Sequence, residues 1–408
     1  MPWVRSMVAV VYPSAVAHIE GGRSYELITL RKKGDVYEMI VSSGILGFDF
    51  IMSIEYAETE KEVEGVRILE PIKYKAYVPL HNIEITAESI EALEKRLESE
   101  RRGKDPVDIY DIFAKVEKGV VAFIVRNYNS GEKFIVTINI ESNKIATLKM
   151  PDGLEADKIL GVEDNVLSLK QTNRLLLVDM NNGEIEEYKG LYLKANRRIK
   201  VLVDERRIVN IYRDDKLVYR TPYYIPEEEK KCIEELKRDP PIFNNGLPTY
   251  VHCESDDRCI ASVCAPGPEK CYDYEYNPRE LCSEKFEGVA ILDGKVITVG
   301  YTTIKVIDIQ NGEEQIIPTG LNIRSLRGNR EPITANRDMI VIETPQSSGK
   351  VILIDKNGNI EKKMLSLPQL TRDCYNVYEP MTVSINSRTV VRVRRNCKNE
   401  YYVLLYEF

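Results

Sequence analysis

Three stretches of the chain decide its fold: LLLVDMNNGEI from Leu175, IKVIDIQNGEE from Ile304 and VILIDKNGNIE from Val351. In each, a run of apolar residues ends at an aspartate, and a glycine follows after a short gap. An aspartate can accept hydrogen bonds from the backbone of a turn, and glycine can adopt positive φ, so the pattern predicts a strand, a tight turn and a second strand. We expect the same turn in each copy, formed by Asp179, Gly183, Asp308, Gly312, Asp355 and Gly358.

Two weaker copies extend the pattern. FIVTINIESNKIATL carries Asn139 and Asn143 at the equivalent places, and IVNIYRDDKLVYR carries Asp214 and Asp215 in its turn. Spacings of 40, 33 and 47 residues between successive copies are close to the period of propeller blades, which is roughly 40 to 50 residues. A further strand pair precedes the hairpins, as in GVAILDGKVITVGY, so each unit is predicted to have about four strands.

The fold class predicted from this repeat is all-β, a seven- or eight-bladed β-propeller that forms a single domain over residues 1–408. We expect the stretches beginning at Tyr25 and Tyr401 to be divergent terminal copies. An early strand from Met7 to Tyr12 is expected to complete the last blade and close the ring, which removes exposed sheet edges. A pair of β-sandwich domains, or a β-solenoid, also fits the spacing of strands and turns.

These units resemble the apolar-run, Asp, Gly repeats of β-propellers of the quinoprotein-like and related superfamilies. The resemblance concerns architecture and covers about two thirds of the chain. Quinone-dependent dehydrogenases place tryptophans in their blades, whereas this chain has one, Trp3. The dipeptides of WD repeats, the paired glycines of kelch blades and the tryptophan of the Asp-box are also missing. The resemblance therefore implies no specific family, and no cofactor is expected.

A first insertion is predicted at residues 86–118 as a helical hairpin. Its first helix begins at Thr86 and carries Ile90, Leu93 and Leu97 on one stripe. Its second helix begins at Asp105, continues through Ile109, Ile112, Phe113 and Val116, and ends near Gly119. The hairpin either packs on the ring or serves as a partner-binding arm.

A second insertion, or a divergent blade, is predicted at residues 223–285. It begins with Pro226 and the helix EEEKKCIEELKR, and a cysteine-rich stretch follows. The cysteines lack a zinc-knuckle spacing, which favours disulfides over a metal site, although free thiols stay possible and the pairing is open. The candidate disulfide cysteines are Cys232, Cys253, Cys259, Cys264, Cys271 and Cys282 here, with Cys374 and Cys397 as a separate pair.

Composition limits the function classes. A net charge of −7 and a pI near 5.5 argue against a dedicated nucleic-acid binder. Scarce Gln and His beside abundant Lys, Glu, Arg and Ile indicate a thermophile, in which intracellular disulfides can form.

The apolar run after Arg5 has some features of a signal peptide but is short and interrupted by Pro13, so a strand is the better interpretation. No segment is long enough to span a membrane. We expect a soluble protein, either cytoplasmic or located on a virion or outside the cell.

No nucleophile elbow, phosphate loop or dinucleotide fingerprint is present, and the three histidines are scattered. The sequence therefore favours a non-enzymatic scaffold that binds a protein partner, from a thermophilic archaeon or its virus. A carbohydrate-acting or carbohydrate-binding propeller is the first alternative. Anion or nucleic-acid binding is the second alternative, through two arginine groups: Arg324, Arg327 and Arg330, and Arg388, Arg392 and Arg394.

Overall fold

The structure is a computed structural model. It describes residues 6–11, 26–45, 48–63, 66–117, 119–151, 154, 156, 158–172, 174–222, 226–238, 249–264, 271–279, 288–300, 303–318, 333–343, 350–365, 381–383, 388–395 and 401–408. In this part of the chain, no helix is long and apolar enough to cross a membrane.

Four sheets have four antiparallel strands each, in chain order from one side of the sheet to the other. The first is β11 (Lys158–Glu163), β12 (Val166–Gln171), β13 (Arg174–Asp179) and β14 (Ile185–Tyr188). The second is β15 (Tyr192–Ala195), β16 (Ile199–Val203), β17 (Ile208–Arg213) and β18 (Lys216–Pro222). The third is β22 (Gly288–Leu292), β23 (Lys295–Val299), β24 (Thr303–Asp308) and β25 (Glu314–Pro318). The fourth is β26 (Ile333–Ala335), β27 (Met339–Glu343), β28 (Lys350–Asp355) and β29 (Ile360–Met364).

A larger sheet joins three further groups of strands at the two ends of the chain. One group is β2 (Glu26–Lys33), β3 (Val36–Ile45), β4 (Phe48–Val63), β5 (Val66–Val78) and β6 (Ile83–Ala87). The next is β7 (Val107–Glu117), β8 (Val120–Asn127), β9 (Lys133–Asn139) and β10 (Lys144–Lys149). The last is β30 (Met381–Val383), β31 (Thr389–Arg395), β32 (Tyr401–Glu407) and the N-terminal strand β1 (Ser6–Val11).

The remaining elements are two helices and a separate sheet. They are α1 (Ile90–Glu100), α2 (Pro226–Arg238) and the three strands β19 (Thr249–Cys253), β20 (Cys259–Cys264) and β21 (Cys271–Tyr276).

The first strands of the sheets contact one another in a closed order: β2, β7, β11, β15, β22, β26, β30 and back to β2. The buried core consists of apolar layers between neighbouring sheets. One layer packs Val391, Val403 and Leu405 from the C-terminal strands against the β2–β6 group, so the two ends of the chain share a core. Sheets arranged radially around a common axis define a β-propeller.

The N-terminal strand closes the ring. β1 pairs antiparallel with β32, with Ser6 opposite Glu407 and Val11 opposite Tyr402. On its other side it pairs in parallel with β5. The prediction that an early strand completes the last sheet is confirmed, and both sides of this strand are hydrogen-bonded.

The three Asp–Gly turns share a hydrogen-bonding scheme, although the glycine is four residues after the aspartate in the first two turns and three residues after it in the third. The carboxylates of Asp179, Asp308 and Asp355 each accept a hydrogen bond from the backbone N–H two residues later, at 2.8, 2.8 and 2.9 Å. The turn glycines Gly183, Gly312 and Gly358 have φ of +75°, +75° and +86°, and each donates its N–H to the carbonyl of the aspartate. These turns join the last two strands of three sheets.

The predicted second helix at 105–119 is wrong, because Val107–Glu117 is the strand β7. Its pairing with β8 shifts register between Ile109 and Asp111 and again between Phe113 and Glu117. Each irregularity displaces the strand's alternation of apolar and polar residues. The apolar residues consequently recur at intervals of three and four, which imitates a helical period.

The predicted first helix exists as α1, with Leu93 and Leu97 buried. It begins later than expected, because Thr86 belongs to β6. Ser89 caps it instead, its side chain accepting a hydrogen bond from the N–H of Ala92 at 3.2 Å. The first insertion is thus one helix between two strands and contains no helical hairpin. The predicted helix at Pro226 is confirmed as α2.

Candidate functional site

The cysteine-rich segment forms a small α/β unit, which we call the insertion unit: α2 with β19, β20 and β21. The helix packs on the sheet through Ile233, which is buried, and the hydroxyl of Tyr276 donates to the carbonyl of Leu236 at 2.7 Å. Lys237 at the end of the helix pairs with Asp256 in the β19–β20 turn. That hydrogen bond lowers the pKa of the Asp256 carboxyl.

Two cysteine pairs link the three strands. Cys253 and Cys259 are directly opposite each other on β19 and β20, with their sulfur atoms 1.98 Å apart. Cys264 and Cys271 are opposite each other on β20 and β21, at 2.03 Å. Both are disulfide distances. A three-stranded sheet has little core of its own, so cross-links of this kind stabilise it against opening.

The other cysteine predictions stay predictions. Cys282, Cys374 and Cys397 lie outside the described residues, as does the side chain of Cys232. Within the described part of the chain, no group of three or more His, Cys, Asp or Glu is arranged to hold a metal ion.

The insertion unit exposes large aromatic side chains. Tyr250 on β19 is 67% exposed, and Tyr272 and Tyr274 on β21 are 58% and 50% exposed. Tyr272 and Tyr274 share a face of β21 because side chains two residues apart point the same way. Tyr274 is opposite Ala261, which is fully buried, so this face continues from a covered core into an open aromatic surface. Tyr250 lies on the other face.

Ion pairs hold the loops around this surface. Arg258 binds Glu254 at 2.9 Å and Glu275 at 2.7 Å, which ties the β19–β20 turn to the edge strand β21. Arg279, after β21, pairs with Asp256 and Asp257 at 3.5 and 3.3 Å. The aromatic surface therefore rests on a cross-linked and ion-paired frame.

Sequence reasoning identified the cysteines of this unit but did not identify its tyrosines. The signal is present in CYDYEY, where tyrosines alternate with acidic residues. Such alternation is typical of a strand with one polar face, but it does not tell whether the aromatic face is covered. Only the packing of α2 decides that two of these rings stay open.

Anion binding by either predicted arginine group stays a prediction, because only Arg388 and Arg392 of these residues have described side chains. Arg388 pairs with Glu361 at 3.0 Å, while Arg392 is buried. Hydrogen bonds from Lys363 and Arg388 lower the pKa of Glu361. Arg324, Arg327 and Arg330, and the side chain of Arg394, lie outside the described residues.

A cleft of about 230 Å³ separates the β2–β6 group from the β7–β10 group. Its lining combines apolar side chains, such as Ile40 and Phe123, with charged ones, such as Lys73 and Glu84. Glu38 lines it too, and is held by Arg31 and by the Ser53 hydroxyl at 2.9 Å. Burial opposes the charge of Glu38, but the adjacent Arg31 guanidinium lowers the pKa of this carboxyl overall.

A second cleft, of about 200 Å³, lies between the sheets β11–β14 and β15–β18 and is lined by charged groups. Lys200 is one of three cations in the lining, with Arg197 and Arg198. It pairs with Asp215 at 3.0 Å, binds the hydroxyl of Tyr188, and lies 4.6 Å from the centre of that ring. Burial disfavours its charge, but these hydrogen bonds raise its pKa overall. The lysine is thus a paired structural cation.

No protein-family model matches the chain, and no curated protein matches it either. Solved structures of WD40 and CNH type do match. Hsv2p of Kluyveromyces lactis is 12% identical, over 73% of this chain and 98% of that one, with a TM-score of 0.31. The WD40 domain of Neurospora crassa Pan2 is 10% identical, over 98% and 95%, with a TM-score of 0.36. The AfRom2 CNH domain is 10% identical, over 74% and 95%, with a TM-score of 0.27. The propeller assignment itself rests on the closed order of the sheets.

Proposed function

We propose that this protein is a non-enzymatic scaffold whose protein partner docks on the insertion unit. The observation that carries the proposal is the exposure of Tyr272 and Tyr274 on one face of a sheet cross-linked by two cysteine pairs, with Tyr250 exposed on the opposite face. Tyrosine is enriched among the residues that dominate interface energies, because it combines a large apolar area with a hydroxyl. Among the described residues, four tyrosines have an exposed fraction of 50% or more, and three of these four belong to the insertion unit.

Rigidity supports the same conclusion. A surface that is ordered before binding loses less conformational entropy when the partner docks. The paired cysteines and the Arg258 ion pairs hold the strands that carry the tyrosines. Loops and insertions on a stable ring are where propellers and other rigid scaffolds place their binding residues.

The chain as a whole is a seven-bladed propeller over residues 1–408. The contact between β15 and β22 supports this count, because it leaves no position in the ring for β19–β21. Residues 223–285 are accordingly an insertion rather than an eighth blade. The thermophile-like composition and the cross-linked cysteines support an origin in a thermophilic archaeon or its virus.

The test is capture of partners by the full-length protein from native extract, with chemical cross-linking and quantitative mass spectrometry. We expect a stoichiometric partner for the wild type. The double variant Tyr272→Ala/Tyr274→Ala should bind it about thirtyfold more weakly, because interface tyrosines contribute about 2 kcal/mol or more when they form a hot spot.

Tyr128→Ala is the matched control. Tyr128 is 66% exposed but lies after β8, outside the insertion unit. Recovery of the same partner in equal amounts by wild type and the double variant would refute the docking site. Recovery of no stoichiometric partner at all would count against the scaffold function.

Carbohydrate binding is a second candidate, and one observation favours it. Tyr272 and Tyr274 present two rings side by side on one face of an edge strand, and aromatic rings of this kind can stack on sugars. A glycan array distinguishes the two functions. Binding to a defined glycan that is lost with Tyr272→Ala/Tyr274→Ala, without a protein partner, would support the sugar-binding function.

A further inference from the structure

The sheet β15–β18 is basic in an otherwise acidic protein. Between Tyr192 and Pro222, lysines and arginines exceed aspartates and glutamates by five, whereas the whole chain has a net charge of −7. The basic residues of this sheet are Lys194, Arg197, Arg198, Lys200, Arg206, Arg207, Arg213, Lys216 and Arg220.

Several of these residues meet at one corner of the sheet. Arg213 and Lys216 are cross-strand partners where β17 turns into β18. The carbonyl of Arg198, in the β15–β16 turn, accepts the N–H of Asp214 at 2.9 Å, so the two turns are neighbours. We call this surface the basic corner and define it as Arg197, Arg198, Arg213, Lys216, Leu217 and Val218.

The four cations of the basic corner have no ion-pair partner among the residues that the structure describes. Asp215, one of two acidic residues in the β17–β18 turn, is already paired with Lys200. None of Arg197, Arg198, Arg213 and Lys216 makes an ion pair with a described residue. Arg197 and Arg198 line the second cleft together with the carboxylates of Asp179, Glu184, Glu186, Asp214 and Asp215. None of these carboxylates forms an ion pair with the four cations in the described part of the chain, so the cations can pair with acidic groups of a partner.

Apolar side chains lie directly beside these cations. Leu217 and Val218 are adjacent on β18, the outermost strand of the sheet, and are 52% and 43% exposed. Interfaces combine desolvated apolar groups with arginine in this way. A partner that covers the corner must therefore offer both negative charge and apolar groups.

We propose that the basic corner binds an acidic protein segment in which apolar residues alternate with or flank carboxylates. Nucleic acid fits less well, because a phosphodiester backbone has no groups to cover Leu217 and Val218. The nearby tyrosines are also engaged: the Tyr219 hydroxyl donates to Glu314 at 3.0 Å, and the Tyr212 ring lies 5.9 Å from the Lys200 amine. They are not free to stack on bases.

The contact is made by side chains rather than by strand addition. The pairing of β17 with β18 shifts register between Ile211 and Tyr212, where Val218 is the extra residue. Such a bulge twists an edge strand and interrupts the row of backbone groups that a further strand needs. The surface can still present its arginines and the two apolar side chains to a segment lying across it.

The test uses the full-length protein and a fluorescein-labelled peptide of twelve residues in which Glu and Val alternate, measured by fluorescence anisotropy at low and at physiological salt. We expect binding that weakens with salt. Arg198→Ala/Lys216→Ala should weaken it about tenfold, the effect of losing two partly screened ion pairs. Leu217→Ser/Val218→Ser should weaken it several-fold while leaving the salt dependence intact.

Arg206→Ala/Arg207→Ala is the matched control, because it removes two positive charges from the β16–β17 turn at the opposite end of the strands. It should leave the affinity within about twofold. If Arg206→Ala/Arg207→Ala lost as much affinity for the peptide as Arg198→Ala/Lys216→Ala, the effect would be one of net charge and the site would be refuted. Tighter binding of a twelve-nucleotide single-stranded DNA than of the peptide would overturn the assignment in favour of nucleic acid, and absence of peptide binding would refute it outright.

The inference does not depend on the insertion unit, so Tyr272→Ala/Tyr274→Ala should bind the peptide like wild type.

Discussion

Single residues fix the geometry of the turns. In the β24–β25 turn, the Asp308 carboxylate accepts the N–H of Gln310 at 2.8 Å and Gly312 holds φ of +75°. The aspartate satisfies a backbone donor that the tight turn would otherwise leave unpaired, and glycine adopts a conformation that is strained for other residues. The aspartate thus acts through a hydrogen bond and the glycine through its backbone conformation. The effect of each on the free energy of unfolding can be measured separately.

Gly312→Ala should lower the free energy of unfolding by about 1 kcal/mol, the typical strain of a side chain at positive φ. The nearest atom to an added Cβ is a Tyr219 ring carbon at 3.8 Å, so the cost is in the backbone rather than in a clash. Urea unfolding measures the change. Gln310→Ala, in the same turn, should shift stability by less than about 0.5 kcal/mol; equal effects would contradict the backbone explanation.

The buried pair of Arg31 and Glu38 gives a second test. Their side chains are each 10% exposed, and Glu38→Gln leaves the guanidinium without a counter-charge. We expect a loss of about 3 kcal/mol in urea unfolding at pH 7. Glu70→Gln should change stability by at most about 1 kcal/mol, because the Glu70 side chain is 52% exposed in its pair with Lys61.

The same pair predicts a pH dependence. Because the pKa of Glu38 is lower in the folded protein than in the unfolded chain, its contribution is fully present above the unfolded pKa and is lost as the pH falls through the folded value. The stability difference between wild type and Glu38→Gln should therefore shrink below about pH 4. A difference that stays constant down to pH 2 would show that Glu38 acts through packing and not through its charge.

At the scale of elements, the insertion unit is held by cross-links more than by a core. Cys259 and Ala261 are fully buried, but every residue of β21 up to Glu275 is exposed. The blades, in contrast, are buried on both faces between their neighbours: all five residues of β22 are buried, and successive side chains of a strand point to opposite faces. The two parts of the molecule should respond differently to reduction.

Reduction of the cysteine pairs should loosen the insertion unit and leave the ring intact. Hydrogen exchange with mass spectrometry, with and without a thiol reductant, should show faster exchange in 249–276 and unchanged exchange in β11–β14. Cys264→Ser/Cys271→Ser should reproduce the effect on β21 without reductant. Unchanged exchange in 249–276 after complete reduction would show that α2 alone holds the sheet.

At the scale of the molecule, the ring is closed by the first and last strands of the chain. β1 is hydrogen-bonded on both sides, to β32 and to β5. A strand in this position cannot fray without opening two ladders. The closure also joins the chain ends to a shared apolar layer, so the unfolding of one end should be cooperative with the whole.

Ala9→Pro should destabilise the whole protein by about 3 kcal/mol or more, since proline in a strand paired on both sides removes a ladder hydrogen bond. Ala9 pairs with Leu404 and with Ile68. Ala9→Val, which keeps the N–H and favours a strand, is the control and should have a smaller effect. Calorimetry would contradict the closure if the proline variant melted like wild type.

The sequence alone determined the parts of this protein that depend on local chemistry. Asp and Gly specify the turns at 179–183, 308–312 and 355–358, because hydrogen bonding to the turn and positive φ are properties of those residue types. The amphipathic stripe at Leu93 and Leu97 specifies the first helix, and Pro226 followed by the stretch EEEKKCIEELKR specifies the second. The closing strand could also be predicted, because the last copy lacks a strand and an unpaired edge is unfavourable.

Only the tertiary structure decided the rest. The apolar spacing of 109, 112, 113 and 116 suits a helix, but pairing with β8 makes it a strand, since two bulges shift the alternation and the ladder hydrogen bonds outweigh local preference. The open tyrosines and the basic corner likewise depend on which residues the packing covers and which ion pairs form across turns. The exposure of a side chain and its ion pairs depend on residues that are distant in the sequence and become neighbours only in the folded molecule. No local sequence pattern specifies them.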